Sequence, residues 1–266
     1  PVYASAFTDQ HTDSSADMTA GFRKIEQRVW PPTTSFGAGW STSSVHQSKN
    51  RSIIEREVVM SEKIKVGILG ATGMVGQRFV TLLENHPWFE LVTLAASAHS
   101  AGKTYEEAIG SRWKMETPMP EFVKHMVVKN VADVEDVVKD VDFVFSAVNM
   151  PKDEIRAIEE EYAKTETPVV SNNSAHRWTP DVPMVVPEIN PEHYEVIEHQ
   201  KKRLGTTRGF IAVKPNCSIQ AYTPALAAWK EFEPHEVIVS TYQAISGAGK
   251  TFKDWPEMVG NIIPFI

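Results

Sequence analysis

The chain has 266 residues, room for one large domain or two smaller ones, with an ordinary globular balance of 42% hydrophobic and 23% charged residues. A net charge of −7 and the lack of a basic arm argue against nucleic acid or an anionic membrane as partner, and no apolar run approaches the roughly 20 residues of a membrane span. The single cysteine, Cys217, leaves no internal disulfide framework and no cysteine-based metal site, and it suits a reducing, cytoplasmic compartment.

Residues 1–59 stand apart. The run from Pro31 to Ser44 is rich in Pro, Gly, Ser and Thr and shows no sustained period, so this segment is expected to be disordered or a spurious extension, with Met60 as the natural start. Residues 63–69 then read as a buried strand running into Gly70-Ala71-Thr72-Gly73-Met74-Val75-Gly76, and 74–83 carry Val75, Phe79, Leu82 and Leu83 at helical spacing. A second apolar strand follows at 91–96. Strand, glycine turn, helix and strand in about thirty residues form the βαβ context that a dinucleotide-binding motif needs. The spacing is GxxGxxG. Its glycines permit a tight turn, let backbone N–H groups approach a pyrophosphate, and let the helix lie close to the sheet. The candidate cofactor contacts here are Gly70, Thr72, Gly73, Met74, Val75 and Gly76, and the competing reading is a glycine turn without a ligand. After the second strand, residues 97–103 hold no acid but contain the hydroxyls Ser97 and Ser100 together with His99 and Lys103. An NAD site usually places a carboxylate there for the ribose 2′-OH, so this composition points to a 2′-phosphate and NADP.

The alternation continues with strands expected at 123–128, 141–148 and 167–171, a short acidic helix at 131–139, and a helix opened by Pro151 that runs to about 163. This is the pattern of a doubly wound parallel sheet of Rossmann type, in which ligands bind beyond the carboxyl ends of the strands. The polar groups expected at those ends are Ser146, Asn149, Ser171, Asn172, Asn173 and Ser174, of which Ser146 and Asn173 are assigned to the cofactor; each has turn or cap duty as its alternative. Arg177 has the chemistry to clamp a phosphate or carboxylate, against the alternative of a surface arginine. Four prolines between 180 and 191 make that stretch an extended connector. The expected domains are 60–212 for the dinucleotide and 213–266 for a partial catalytic and dimerisation domain of α+β type. Residues 210–213 read as a strand, and Cys217 follows at a strand-to-helix junction, where free N–H groups and the helix dipole favour thiolate over thiol. Taken alone, the residue reads as a small buried hydrophobe.

Five blocks together resemble the aspartate-β-semialdehyde dehydrogenase family, in its archaeal and fungal branch, from about Lys63 onward. They are the glycine segment above, Ser171-Asn172-Asn173-Ser174-Ala175-His176-Arg177, Val185-Val186-Pro187-Glu188-Ile189-Asn190, Pro215-Asn216-Cys217-Ser218 and Thr241-Tyr242-Gln243-Ala244-Ile245-Ser246-Gly247-Ala248-Gly249. The resemblance implies NADPH-dependent reduction of L-aspartyl 4-phosphate to aspartate 4-semialdehyde, with Cys217 as nucleophile and a thioester intermediate. It implies substrate contacts from Arg177, Asn216 and Gln243, cofactor contacts from Ser246 and Gly247, and a homodimer or homotetramer. His99 stands where the resemblance implies an arginine at the 2′-phosphate. The family continues with a glutamate-rich segment, a substrate-binding arginine and an acid/base histidine, whereas none of the nine histidines here lies beyond His235, so the resemblance also implies a C-terminal truncation. The competing expectations are acyl-CoA reductases forming malonate or succinate semialdehyde, the more distant N-acetylglutamyl-phosphate reductases, and a nucleotide-binding fragment without catalysis.

Overall fold

The computed structural model describes residues 62–262, so the expectations for 1–59 lie outside the described residues. Six parallel strands form one sheet: β1 (Ile64–Leu69), β2 (Phe89–Ala96), β3 (Lys129–Asn130), β4 (Phe143–Ser146), β5 (Val169–Ser171) and β6 (Ile211–Val213). Their order is β3-β2-β1-β4-β5-β6, the doubly wound dinucleotide-binding arrangement, with its switch point between β1 and β4.

Apolar strands buried on both faces need helices on both sides. On one side Val66 and Ile68 pack with Val80 and Leu83 of α1 (Met74–Leu83) and with Tyr105 of α2 (Tyr105–Ile109). On the other, Leu69 and Val144 pack with Val137 of α4 (Val134–Val138) and with Ile155 and Tyr162 of α5 (Lys152–Lys164). The neighbouring residues Ile68 and Leu69 thus face opposite cores, as the two-residue period of a strand requires.

Three stretches differ from the expectation. Residues 123–128 are not a sheet strand. Pro120 caps the short helix α3 (Glu121–Lys124), which points Val123 into the core, and Val127 then bridges Thr104 while the Val128 N–H donates to Lys103 O at 2.9 Å. The β-branched residues are spent on that local bridge, and the sheet takes only Lys129 and Asn130. Second, a 3-10 turn (Pro191–Val196) and α6 (Ile197–Leu204) follow the proline connector. Proline opens this pair, and Gly205 closes it at φ 73, its N–H donating to Lys201 O at 2.8 Å. Third, no strand follows β6 among the described residues. The α+β expectation for 213–266 is met there by α7 (Cys217–Ala228) and 3-10 turns, with Val237, Ile238 and Val239 exposed. β6 also runs across the expected boundary after residue 212. The connector is extended only over residues 183–186, where Met184 bridges Val213 in parallel on the outer edge of β6; hydrogen-bonded turns flank it on both sides.

Candidate active site

The glycine turn lies at the carboxyl end of β1, beside the switch point. Gly70 has φ 82, and a Cβ there would fall 2.4 Å from Ala147 O. A Cβ on Gly76 would fall 2.3 Å from Gly70 O, so this glycine lets α1 lie against the turn. Gly73 is different: its nearest neighbour would be 3.5 Å away, an ordinary contact. The protein's own packing therefore explains two of the three glycines, and the third leaves space at the start of α1. That helix has no side-chain cap and no acid in its first turn, so its N–H groups remain available to an anion. Thr72 and Met74 are half-buried beside this space and Val75 is exposed. The turn is held from beneath. Gly70 and Ala71 N–H donate to Ala95 O at 2.8 and 3.0 Å. The buried Tyr105 hydroxyl donates to Ala71 O at 2.8 Å, and Gln77 Nε2 donates to Thr72 O at 3.1 Å. Burial raises the Tyr105 pKa, so the hydroxyl stays a donor.

At the end of β2, Ser97 O accepts N–H groups from Ser100 at 2.9 Å and Ala101 at 3.2 Å, forming a compact turn. Ser97, His99 and Lys103 are exposed on it, whereas Ser100 is buried. The exposed imidazole and ammonium, with no carboxylate in 97–103, fit a phosphate on the adenosine ribose.

Cys217 is exposed as the first residue of α7. Asn216 Oδ1 accepts the Ser218 N–H at 2.8 Å, so the residue expected to touch substrate uses its carbonyl oxygen as the helix cap. Lys214 N–H donates to Ser171 O at 3.1 Å, extending the β5–β6 ladder, and Arg177 Nε donates to Lys214 O at 3.2 Å. Burial lowers the pKa of Arg177 against an opposing pull from Cys217. Burial, then Arg177, lowers that of Lys214, again against Cys217. Lys214 Nζ donates to Pro215 O at 3.1 Å, and neither cation forms a salt bridge with a carboxylate among the described residues. Two half-buried cations of this kind suit an anionic group beside the thiol. Gln243 Nε2 donates to Ser218 Oγ, which brings Gln243 to the first turn of α7. Ser246 and Gly247 lie in an exposed 3-10 turn (Ile245–Ala248), with no hydrogen bond to the glycine turn among the described residues.

Between the two ends of the site lies a buried polar network. Asn173 Nδ2 donates to Ser146 Oγ at 3.2 Å and to Glu159 Oε1 at 3.0 Å. Ser171 Oγ donates to Glu159 Oε1 at 2.7 Å and accepts the Asn173 N–H at 3.0 Å. The sequence places Ser146, Ser171 and Asn173 at the strand ends, but Ser146, expected at the cofactor, is fully buried as the acceptor for Asn173, and the sequence gives no role to Glu159, Lys214, Tyr105 and Gln77. Glu159 lies one helical turn from Ile155 and Ala163, so its signal was a carboxylate at core spacing on an amphipathic helix.

The model of the semialdehyde dehydrogenase family, NAD binding domain, matches residues 65–197. The chain belongs to the semialdehyde dehydrogenase family. It carries that family's NAD(P)-binding domain. An aspartate-semialdehyde dehydrogenase of Methanothermobacter thermautotrophicus is 47% identical over 204 residues, covering 76% of this chain and 56% of that protein. One from Aspergillus fumigatus is 43% identical over 206 residues, covering 77% of this chain and 55% of that one. The crystal structure of the Candida albicans aspartate semialdehyde dehydrogenase with NADP superposes with a TM-score of 0.63 at 37% identity, over 77% of this chain and 56% of that chain. The chain spans about half the length of the curated relatives it matches.

Proposed function

We propose that this chain forms the cofactor and thiol portion of an NADPH-dependent aspartate-semialdehyde dehydrogenase, which reduces L-aspartyl 4-phosphate to L-aspartate 4-semialdehyde in the biosynthesis of lysine, threonine and methionine. The observation that carries this reading is the meeting of Cys217, Arg177, Lys214 and Gln243 at the carboxyl edge of the sheet whose central strand bears the dinucleotide turn. The relatives' names supply the aspartyl substrate, and the NADP of the Candida structure agrees with the acid-free 97–103 turn.

Cys217 Sγ attacks the acyl carbon, the C–O bond to phosphate breaks, and the substrate is held as a thioester. Arg177 and Lys214 offset the charge of the departing phosphate, and Gln243 orients the acyl group over the first turn of α7. The N–H groups of that helix start other than Ser218's, which Asn216 caps, would stabilise the charge gained by the carbonyl oxygen. NADPH, when bound, supplies the hydride that with one proton converts thioester to aldehyde and frees the thiol. Cys217 serves as both nucleophile and leaving group.

The test is phosphate-dependent oxidation of aspartate semialdehyde, with NADPH binding measured in parallel. Turnover that Cys217→Ser abolishes while NADPH affinity stays within about twofold supports the reading. Oxidation of succinate semialdehyde in preference would place the chain with the acyl-CoA reductases. NADPH binding without turnover by the 266-residue chain would reduce it to a nucleotide-binding fragment.

A further inference from the structure

Glu159 and His176 are the two buried titratable residues at the site for which the proposed reaction has no use. They are 0% and 1% exposed. Glu159 projects from α5 under the ends of β4 and β5, where its Oε1 accepts from both Ser171 Oγ and Asn173 Nδ2. Its other oxygen, Oε2, has no hydrogen-bond partner and faces His176 Nε2, also unpartnered, at 4.0 Å. His176 Nδ1 in turn meets Thr179 Oγ1 at 3.1 Å. Burial holds the His176 pKa low against the pull of Glu159, so the ring is a neutral dipole able to turn an N–H toward the carboxylate.

The consequence falls on Asn173. Glu159 Oε1 accepts from Asn173 Nδ2 at 3.0 Å, so the carboxamide turns its NH₂ toward Glu159. Ser146 Oγ takes the second hydrogen of the same nitrogen. Both donors of Asn173 are thereby committed to Ser146 and Glu159, which leaves Oδ1 as its remaining hydrogen-bonding atom. We propose that Glu159 is a positioning residue for the cofactor: it fixes Asn173 as an acceptor for a donor on the nicotinamide half of the dinucleotide, its carboxamide NH₂ or a ribose hydroxyl. An acceptor oxygen held this way repels phosphate, so Asn173 sorts the two halves of the cofactor. This inference rests on the dinucleotide reading above.

The experiment compares NADPH, followed by its fluorescence, with 2′,5′-ADP, which lacks the nicotinamide half. Glu159→Leu is expected to weaken NADPH about tenfold, one hydrogen bond's worth, and to leave 2′,5′-ADP within about twofold. Glu159→Gln, whose carbonyl can still accept from Ser171 and Asn173, is expected to retain both affinities. Asn173→Ala should reproduce the selective loss and decides the matter if the leucine variant does not fold. Unchanged NADPH affinity in these variants, or equal loss for both ligands, overturns the positioning role while the cofactor reading stands. Failure of the unsubstituted chain to bind NADPH at all removes both.

Discussion

At the scale of single residues, the three glycines of the turn separate structural need from ligand need. Gly76→Ala places a Cβ 2.3 Å from Gly70 O, so backbone has to move, at a cost on the order of 2–4 kcal/mol. Gly73→Ala meets nothing nearer than 3.5 Å and has φ −75, so stability is expected to change by less than about 1 kcal/mol. The same methyl occupies the space a pyrophosphate needs, and NADPH binding should fall by more than about tenfold. Urea melts and fluorescence titrations of the two variants check this; equal stability loss in both would refute the distinction. Residue chemistry was only partly legible in sequence. Cys217 and Arg177 have suggestive chemistry but equally bland alternatives when read singly, and Gln243 stands out only through the family resemblance. Asn216 does not reveal whether its carboxamide caps a helix or meets a ligand, because one chemistry serves both. Glu159, Tyr105 and Gln77 act through long-range contacts that no local pattern encodes.

At the scale of elements, the helix 74–83 was read with its bounds intact, because a glycine N-terminus and a clear apolar period coincide. The 123–128 stretch differs from a strand because its valines at 123, 127 and 128 serve a short helix and an isolated bridge as well as they would serve a sheet. Helix 197–204 went unread because only Ile197 and Gln200 of its residues are buried, leaving a charged face with little period. The junction between α5 and β6 carries a further test. Glu166, at φ 65 just past α5, accepts N–H groups from Thr207, Arg208 and Gly209 and so ties the loop that feeds β6. These bonds, that of Arg208 foremost, hold its pKa at about 2, below the ordinary 4.5. A depressed carboxylate stabilises the fold above the unfolded value and loses that contribution as pH falls from about 4.5 toward 2. Glu166→Gln should therefore narrow its stability gap to the parent as pH drops through that window; a gap independent of pH would show that the ties do not depend on charge.

At the scale of the whole molecule, binding and folding are linked. A ligand at a hundred times its Kd adds about 2.7 kcal/mol of stability, roughly a 5–10 °C rise in Tm for a unit of this size. NADPH should produce that rise and NADH at equal concentration a smaller one if the exposed Lys103 and His99 at the end of β2 are the partners of the 2′-phosphate, as the dinucleotide reading proposes. Lys103→Glu should erase the difference between the two cofactors in a thermal-shift measurement, and a preserved difference would move the discrimination elsewhere. The parallel sheet adds a constraint of its own. The glycine turn follows β1 and the thiol follows β6, with β4 and β5 between them, so three strand spacings, about 14 Å, separate the two chemistries. Backbone hydrogen bonds set that separation. The sheet thus works as a ruler: a dinucleotide whose pyrophosphate lies at the glycine turn has to span that distance for its far end to reach the thiol of the proposed reaction.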